Sequence, residues 1–183
     1  MKRSTPFQLV GRIVEKQREL QQLYRELSGA RCSEALLAGT LQVLKFRLAG
    51  TTVAFRVQEL DEVVAMAALT PLPGAPEWVC GLLQLGSEQL AVLDLAVLDG
   101  HPRSAPAPSQ FLVVVHTEGR RFALLVDELL GFDTLDGAAL EPPPAEVPFA
   151  PHVLAVVDCA PEPLLLLAAR PLDPDDLIVE RSP

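Results

Sequence analysis

Three histidines, three cysteines and a scatter of carboxylates are the groups in this 183-residue chain that could carry nucleophilic, acid–base or metal chemistry. None of His101, His116 and His152 lies within metal-ligand spacing of another His or Cys. His101 falls in a Pro/Ser/Ala stretch and the other two at strand ends, so solvated surface positions are expected for all three. Cys32, Cys80 and Cys159 are too few and too scattered for a disulfide framework or a Cys-x-x-Cys knuckle, and read as buried free thiols. Asp127 and Glu128 could be imagined as a paired acid and base. Neighbours on a strand point to opposite faces, which separates them unless the strand has already ended. Asp173, Asp175 and Asp176 form an acidic loop or helix start without the further ligands that a calcium loop needs in register. No Gly-x-Ser-x-Gly elbow, phosphate-cradling loop with a lysine or dinucleotide fingerprint occurs. The sequence therefore predicts no enzyme: no catalytic residue, no metal site and no cofactor. A ligand-binding barrel would need an enclosed polar pocket, and few polar groups converge in the sequence to line one.

Composition narrows the classes further. Hydrophobic residues make up 49% and charged residues 21%, which is enough apolar surface for a real core. The net charge of -9 argues against nucleic acid, whose binders carry a basic surplus. The charge is also uneven: residues 1–50 hold nine basic and four acidic side chains, and residues 51–183 hold six and twenty. That break suggests two parts with different surfaces, and the chain is divided into a helical extension (1–40) and a main domain (41–183). No apolar run reaches the roughly 18 residues a membrane span requires. After Met1-Lys2-Arg3, Glu15 and Lys16 interrupt the chain before a signal-peptide core could form. A cytoplasmic location without membrane insertion is expected.

Those groups have to be positioned by a helix followed by strands. Thr5-Pro6-Phe7-Gln8 has the composition of a helix start and Ser28-Gly29 that of a stop. Between them Val10, Ile13, Gln17, Leu20, Tyr24 and Leu27 recur at steps of three and four, a seam of about three heptads. Such a helix packs either on its own domain or on a partner or second copy. Its contact residues are then Val10, Ile13, Leu20, Tyr24 and Leu27. From Gln42 the period drops to two: Leu44, Phe46 and Leu48 alternate with Lys45 and Arg47, and Val53, Phe55 and Val57 follow the turn Ala49-Gly50-Thr51. Further strands are predicted over 79–85, 89–95, 110–116, 121–126, 152–159 and 164–169. Most of the 17 prolines punctuate these runs. Trp78, the one tryptophan, is expected to cover a barrel end or to anchor an interface.

The chain also repeats itself. Residues 46–60 lie on residues 115–129 at an offset of 69, matching Gly50 with Gly119, Ala54 with Ala123, Val57 with Val126, Glu59 with Glu128 and Leu60 with Leu129. Each hairpin is followed by a proline-rich loop and another strand pair, which superpose at an offset of 74 with Glu88 on Glu162. Two copies imply two small barrels, with halves at roughly 42–100 and 110–178 and an exchange of strands between them allowed. Each is too small to bury much alone, so they share a core.

These features resemble the CheW-like family of chemotaxis coupling proteins over about residues 42–178. The matching stretches include Phe55-Arg56-Val57-Gln58-Glu59-Leu60, Thr70-Pro71-Leu72-Pro73-Gly74-Ala75-Pro76, Gly81-Leu82-Leu83, Val92-Leu93-Asp94-Leu95 and Ala123-Leu124-Leu125-Val126-Asp127-Glu128-Leu129. The resemblance implies a mainly β fold of two SH3-like five-stranded β-barrels sharing a core, here preceded by the N-terminal α-helix. It implies a non-enzymatic adaptor bridging chemoreceptor tips and the regulatory domain of a histidine kinase, recruited to receptor arrays or a cell pole. Contacts would involve Val57, Glu59 and the loop Gln84, Leu85, Gly86, Ser87 and Glu88. Members usually read Asn-Leu-Arg-Gly in that loop, and this chain reads Gln84-Leu85-Gly86-Ser87. A glycine supplies neither the charge nor the donors of an arginine. The departure points to a divergent adaptor, or to a scaffold or localisation protein acting through its N-terminal helix without coupling to a kinase.

Overall fold

Alternating side chains make the first strand, β1 (Thr40–Leu48), and the sharp turn at Ala49 and Gly50, both at positive φ, folds β2 (Thr51–Arg56) back onto it. The computed structural model describes residues 39–117, 120–159, 162–169, 172 and 174. The heptad-patterned segment with Val10, Ile13, Leu20, Tyr24 and Leu27, together with Cys32, Gly119 and the acidic run at Asp173, Asp175 and Asp176, lies outside those residues. After β2 come β3 (Leu60–Ala65), β4 (Val79–Leu85), β5 (Glu88–Leu93) and the short helix α1 (Leu95–Leu98). The second series is β6 (Phe111–Thr117), β7 (Arg120–Val126), β8 (Glu128–Asp136), β9 (Val153–Val157) and β10 (Leu164–Leu167).

The strands form two five-stranded mixed sheets, in the orders β8-β1-β2-β10-β9 and β3-β6-β7-β5-β4. Advancing each strand of the second order by one repeat gives the first. Each sheet takes its hairpin from one half of the chain and its other three strands from the other half. Parallel pairing joins them, with Leu165 beside Val53 in one sheet and Val92 beside Ala123 in the other.

The pleat then sorts side chains into three clusters. Leu44, Phe46, Val53 and Phe55 from one hairpin and Val113, Val115, Phe122 and Leu124 from the other meet in a shared central cluster. Phe46 and Phe55 stack there with ring centroids 5.8 Å apart. The alternate residues fill each sheet's other face: Val43, Ala54, Leu164 and Leu166 in the first, Leu112, Val114, Ala123 and Val92 in the second. Strands buried on both faces read as unbroken apolar runs, which explains Leu164-Leu165-Leu166-Leu167.

Several expectations change. A strand, β3 or β8, follows each hairpin before the proline-rich loop, where the sequence predicted only the loop. Asp61 and Glu62 sit at a register shift in β3, and another shift between Lys45 and Phe46 breaks the β1–β8 pairing. These bulges erase the period of two. The predicted strand over 89–95 ends at Leu93, because the Asp94 carboxylate accepts from the amides of Ala96 and Val97 and starts α1. Trp78 is 6% exposed and belongs to the central cluster. His152 is buried rather than solvated, in a tight turn whose backbone links Phe149 and Ala168. Gly81, at φ +146°, lies tight against neighbouring backbone: a Cβ there would come within 2.7 Å of the Thr70 carbonyl oxygen. Of the thiols expected to be buried, Cys80 is half-buried and Cys159 is exposed.

Burial, with the nearby Asp94 charge, pushes the Cys80 thiol up to about 11. Because the thiolate is the reactive form, peptide mapping after iodoacetamide treatment at pH 8 is expected to find Cys159 alkylated and Cys80 spared until the protein is unfolded. Equal labelling of the two in the native state would contradict this placement.

Candidate functional site

The turn between β4 and β5 carries the loop singled out in the sequence. Gly86 sits there at φ +60°, the left-handed conformation that suits glycine, with no atom within 4 Å of where a Cβ would stand. The Gln84 side chain closes the turn by donating from Nε2 to the Gly86 carbonyl at 2.9 Å. Gln84, Ser87 and Glu88 are exposed, whereas Leu85 is half-buried against the second sheet's own cluster.

Glu88 is not a free charge. Its carboxylate accepts from Arg121 Nη1 on β7. The same guanidinium donates from Nε to Asp61 Oδ2 at 2.6 Å and from Nη2 to Glu62 Oε1 at 3.3 Å, both on β3. His116, opposite Arg121 in the β6–β7 register, brings Nδ1 to 3.2 Å from Asp61 Oδ1, close but off the line of a good hydrogen bond. A ladder of ionisable side chains therefore crosses the rim of the second sheet from β3 through β6 and β7 to the turn. Burial alone would raise the Asp61 carboxyl, but His116 and Arg121 beside it outweigh that and hold it well below the usual carboxylate range. Burial opposes the Arg121 charge too, yet Asp61 and Glu88 raise its affinity for the proton.

The other two sequence-predicted contacts lie elsewhere. Val57 is 5% exposed and packs in the central cluster, so its side chain lies in the core rather than on the surface. Glu59 is bound two-pronged by Arg56, at 3.0 and 2.7 Å, and accepts from the Ala169 amide at 3.3 Å. It fastens the turn after β2 to the chain after β10. Asp127 and Glu128 are not neighbours on one strand, because Asp127 is the bend between β7 and β8; Asp127 accepts from the Ala49 amide and from Gln110, both at 2.8 Å, and Glu128 lies 3.8 Å from Arg47. His116, expected on the solvated surface, instead belongs to the ladder. Asp61, Glu62, His116 and Arg121 had no local signal, because only the strand order brings residues so far apart in sequence into one row. The turn leaves Gln84, Gly86, Ser87 and Glu88 exposed beside this charged rim. Among the described residues no group of three His, Cys, Asp or Glu side chains could hold a metal ion, and no helix is long and apolar enough to cross a membrane.

Comparison with known proteins agrees with the fold. Residues 42–176 match the family model for the CheW-like domain. The chain is 25% identical over 126 residues to "Chemotaxis protein CheW" of Rhizobium meliloti, covering 66% of this chain and 81% of that one. It is 25% identical over 154 residues to "Protein PilI" of Pseudomonas aeruginosa, covering 83% of each. The crystal structure of the scaffolding protein TtCheW from Thermoanaerobacter tengcongensis superposes with a TM-score of 0.65 at 21% identity, over 70% of this chain and 88% of that one.

The ladder sets a pH dependence. A carboxylate whose folded pKa is depressed stabilises the fold above its unfolded value and loses that contribution as pH falls through the range below it. Asp61→Asn is expected to cost about 1–2 kcal/mol at pH 7. In denaturant titrations its deficit against wild type should shrink steadily below pH of about 4. A deficit independent of pH would contradict an ionised Asp61 in the ladder.

Proposed function

Because the chain belongs to the CheW-like domain family, we propose that it is a non-enzymatic adaptor of chemotaxis-type signal transduction that holds a histidine-kinase regulatory domain against a chemoreceptor tip. The observation that carries this reading is the 84–88 turn: exposed, closed by its own Gln84, and tied to the sheet through Glu88 and Arg121. A docking turn of fixed shape loses little conformational entropy on binding. The likeness to chemotaxis proteins named CheW supports the pathway, and the protein works in the cytoplasm at receptor arrays. The heptad-patterned segment with Val10, Ile13, Leu20, Tyr24 and Leu27 would add a second attachment and raise the effective concentration of the first.

One feature favours a second reading. Gly86 offers no side chain where the family's usual pattern has an arginine, and the chain also matches a protein named PilI. A scaffold or localisation protein that keeps the fold without the kinase partnership fits that loss. It would act, or self-associate, through its N-terminal segment.

Capture of the kinase regulatory domain encoded in the same genome separates the two. Under the first reading the full chain retains it, and Glu88→Lys weakens retention at least tenfold. If wild type captures nothing and Gly86→Arg gains binding, the second reading stands. Room exists for that arginine, although a left-handed non-glycine residue costs about 1–2 kcal/mol, so a modest fall in Tm should accompany it.

A further inference from the structure

A cavity of about 260 Å³ opens where the β1–β2 turn meets α1 and the loop that precedes β6. Its polar lining is Asp94, His101, Ser104, Gln110 and Asp127. Asp94 is 8% exposed, and the Ala96 and Val97 amides both donate to its Oδ1. Oδ2 therefore carries a share of a buried negative charge without a donor among the described residues. Asp127 is fixed by the Ala49 amide on one oxygen and Gln110 on the other. Among the described residues no Lys or Arg lines the cavity; Arg103 is in the same loop but not at the wall. The charge is not forced by the fold. At the repeat offset of 69, Gln110, Leu125 and Asp127 correspond to Leu41, Arg56 and Gln58, which line a second cavity of about 170 Å³. That equivalent site carries an arginine and no carboxylate.

Two carboxylates, one of them nine-tenths buried, favour a cation and repel an anion. The volume falls below the roughly 300–1,000 Å³ of cavities that enclose whole drug-sized ligands. We propose that this cavity binds a side-chain-sized organic cation, an alkylammonium or guanidinium group, with Asp94 and Asp127 as its counter-charges. A free amine and an arginine protruding from another protein both present that chemistry. Ser104, Gln110 and His101 supply further polar atoms at the wall.

Titration of the 15N-labelled full chain with agmatine, and separately with an end-capped Gly-Arg-Gly peptide, tests this. Saturable shifts of the Ala49, Ala96 and Gln110 amides are expected at constant ionic strength, absent with urea as the neutral analogue. Affinity should fall at least tenfold in Asp94→Asn/Asp127→Asn. Asparagine is as good a helix cap as aspartate, so Asp94→Asn alone serves if the double variant does not fold. Binding of agmatine only identifies a free amine, and binding of the peptide identifies a protruding arginine. Shifts that do not saturate, that urea reproduces, or that survive in a natively folded variant would overturn the proposal.

Discussion

Neither half of this chain can finish a sheet by itself. The β1–β2 hairpin is flanked by β8 and β10, and the β6–β7 hairpin by β3 and β5, so each is completed only by strands from the opposite half. The apolar faces that this exchange turns inward meet in one central cluster, where Phe46, Phe55, Phe122 and Leu124 are fully buried. A duplicated unit of this size has too little interior to be stable alone. Sharing a seam and trading strands solves that problem once for both copies.

The same arrangement limits what the molecule can offer to others. The hairpin strands are covered on both faces, one by the shared cluster and one by the sheet's own. Two of the outer strands are partly capped as well, β4 by the backbone of Thr70 and β9 by that of Glu141. Rims and turns are left. The rim of the second sheet is ordered by Arg121, which uses all its directions on Asp61, Glu62 and Glu88. The corresponding place in the first sheet has a weaker version, with Arg47 3.4 Å and Thr52 3.5 Å from Glu162. The duplication therefore provides two similar ends that have since diverged in charge. An adaptor, which must present distinct surfaces in a fixed relation, is served by such divergence on a rigid body.

Much of this was legible in the sequence where burial is regular. The strands around Leu44, Val79 and Phe122 announced themselves by alternation or by unbroken apolar runs, and the repeat was visible because the turn and the buried positions of the two hairpins match. β3 and β8 were not, since register shifts at Asp61 and at Lys45 put acids and a glycine where a period of two demands apolar residues. The site was harder. Glu88 could be picked from its turn, but nothing local to it names Arg121 as its partner. Val57 looked like a contact residue and is core, because the strand-end position that is exposed in a lone hairpin is covered here by the other half. Ion pairs across a sheet follow strand order, and strand order in an exchanged fold cannot be read from spacing.

Amide hydrogen exchange on the full chain carrying Leu124→Ala measures the interdependence of the two sheets most directly. If the sheets are one cooperative unit, this cavity in the second sheet's hairpin accelerates exchange in the core amides of both, including Val53, Phe55 and Leu166, to a common rate set by global unfolding. Acceleration confined to β3, β6, β7, β5 and β4, with full protection kept in the first sheet, would contradict that unity.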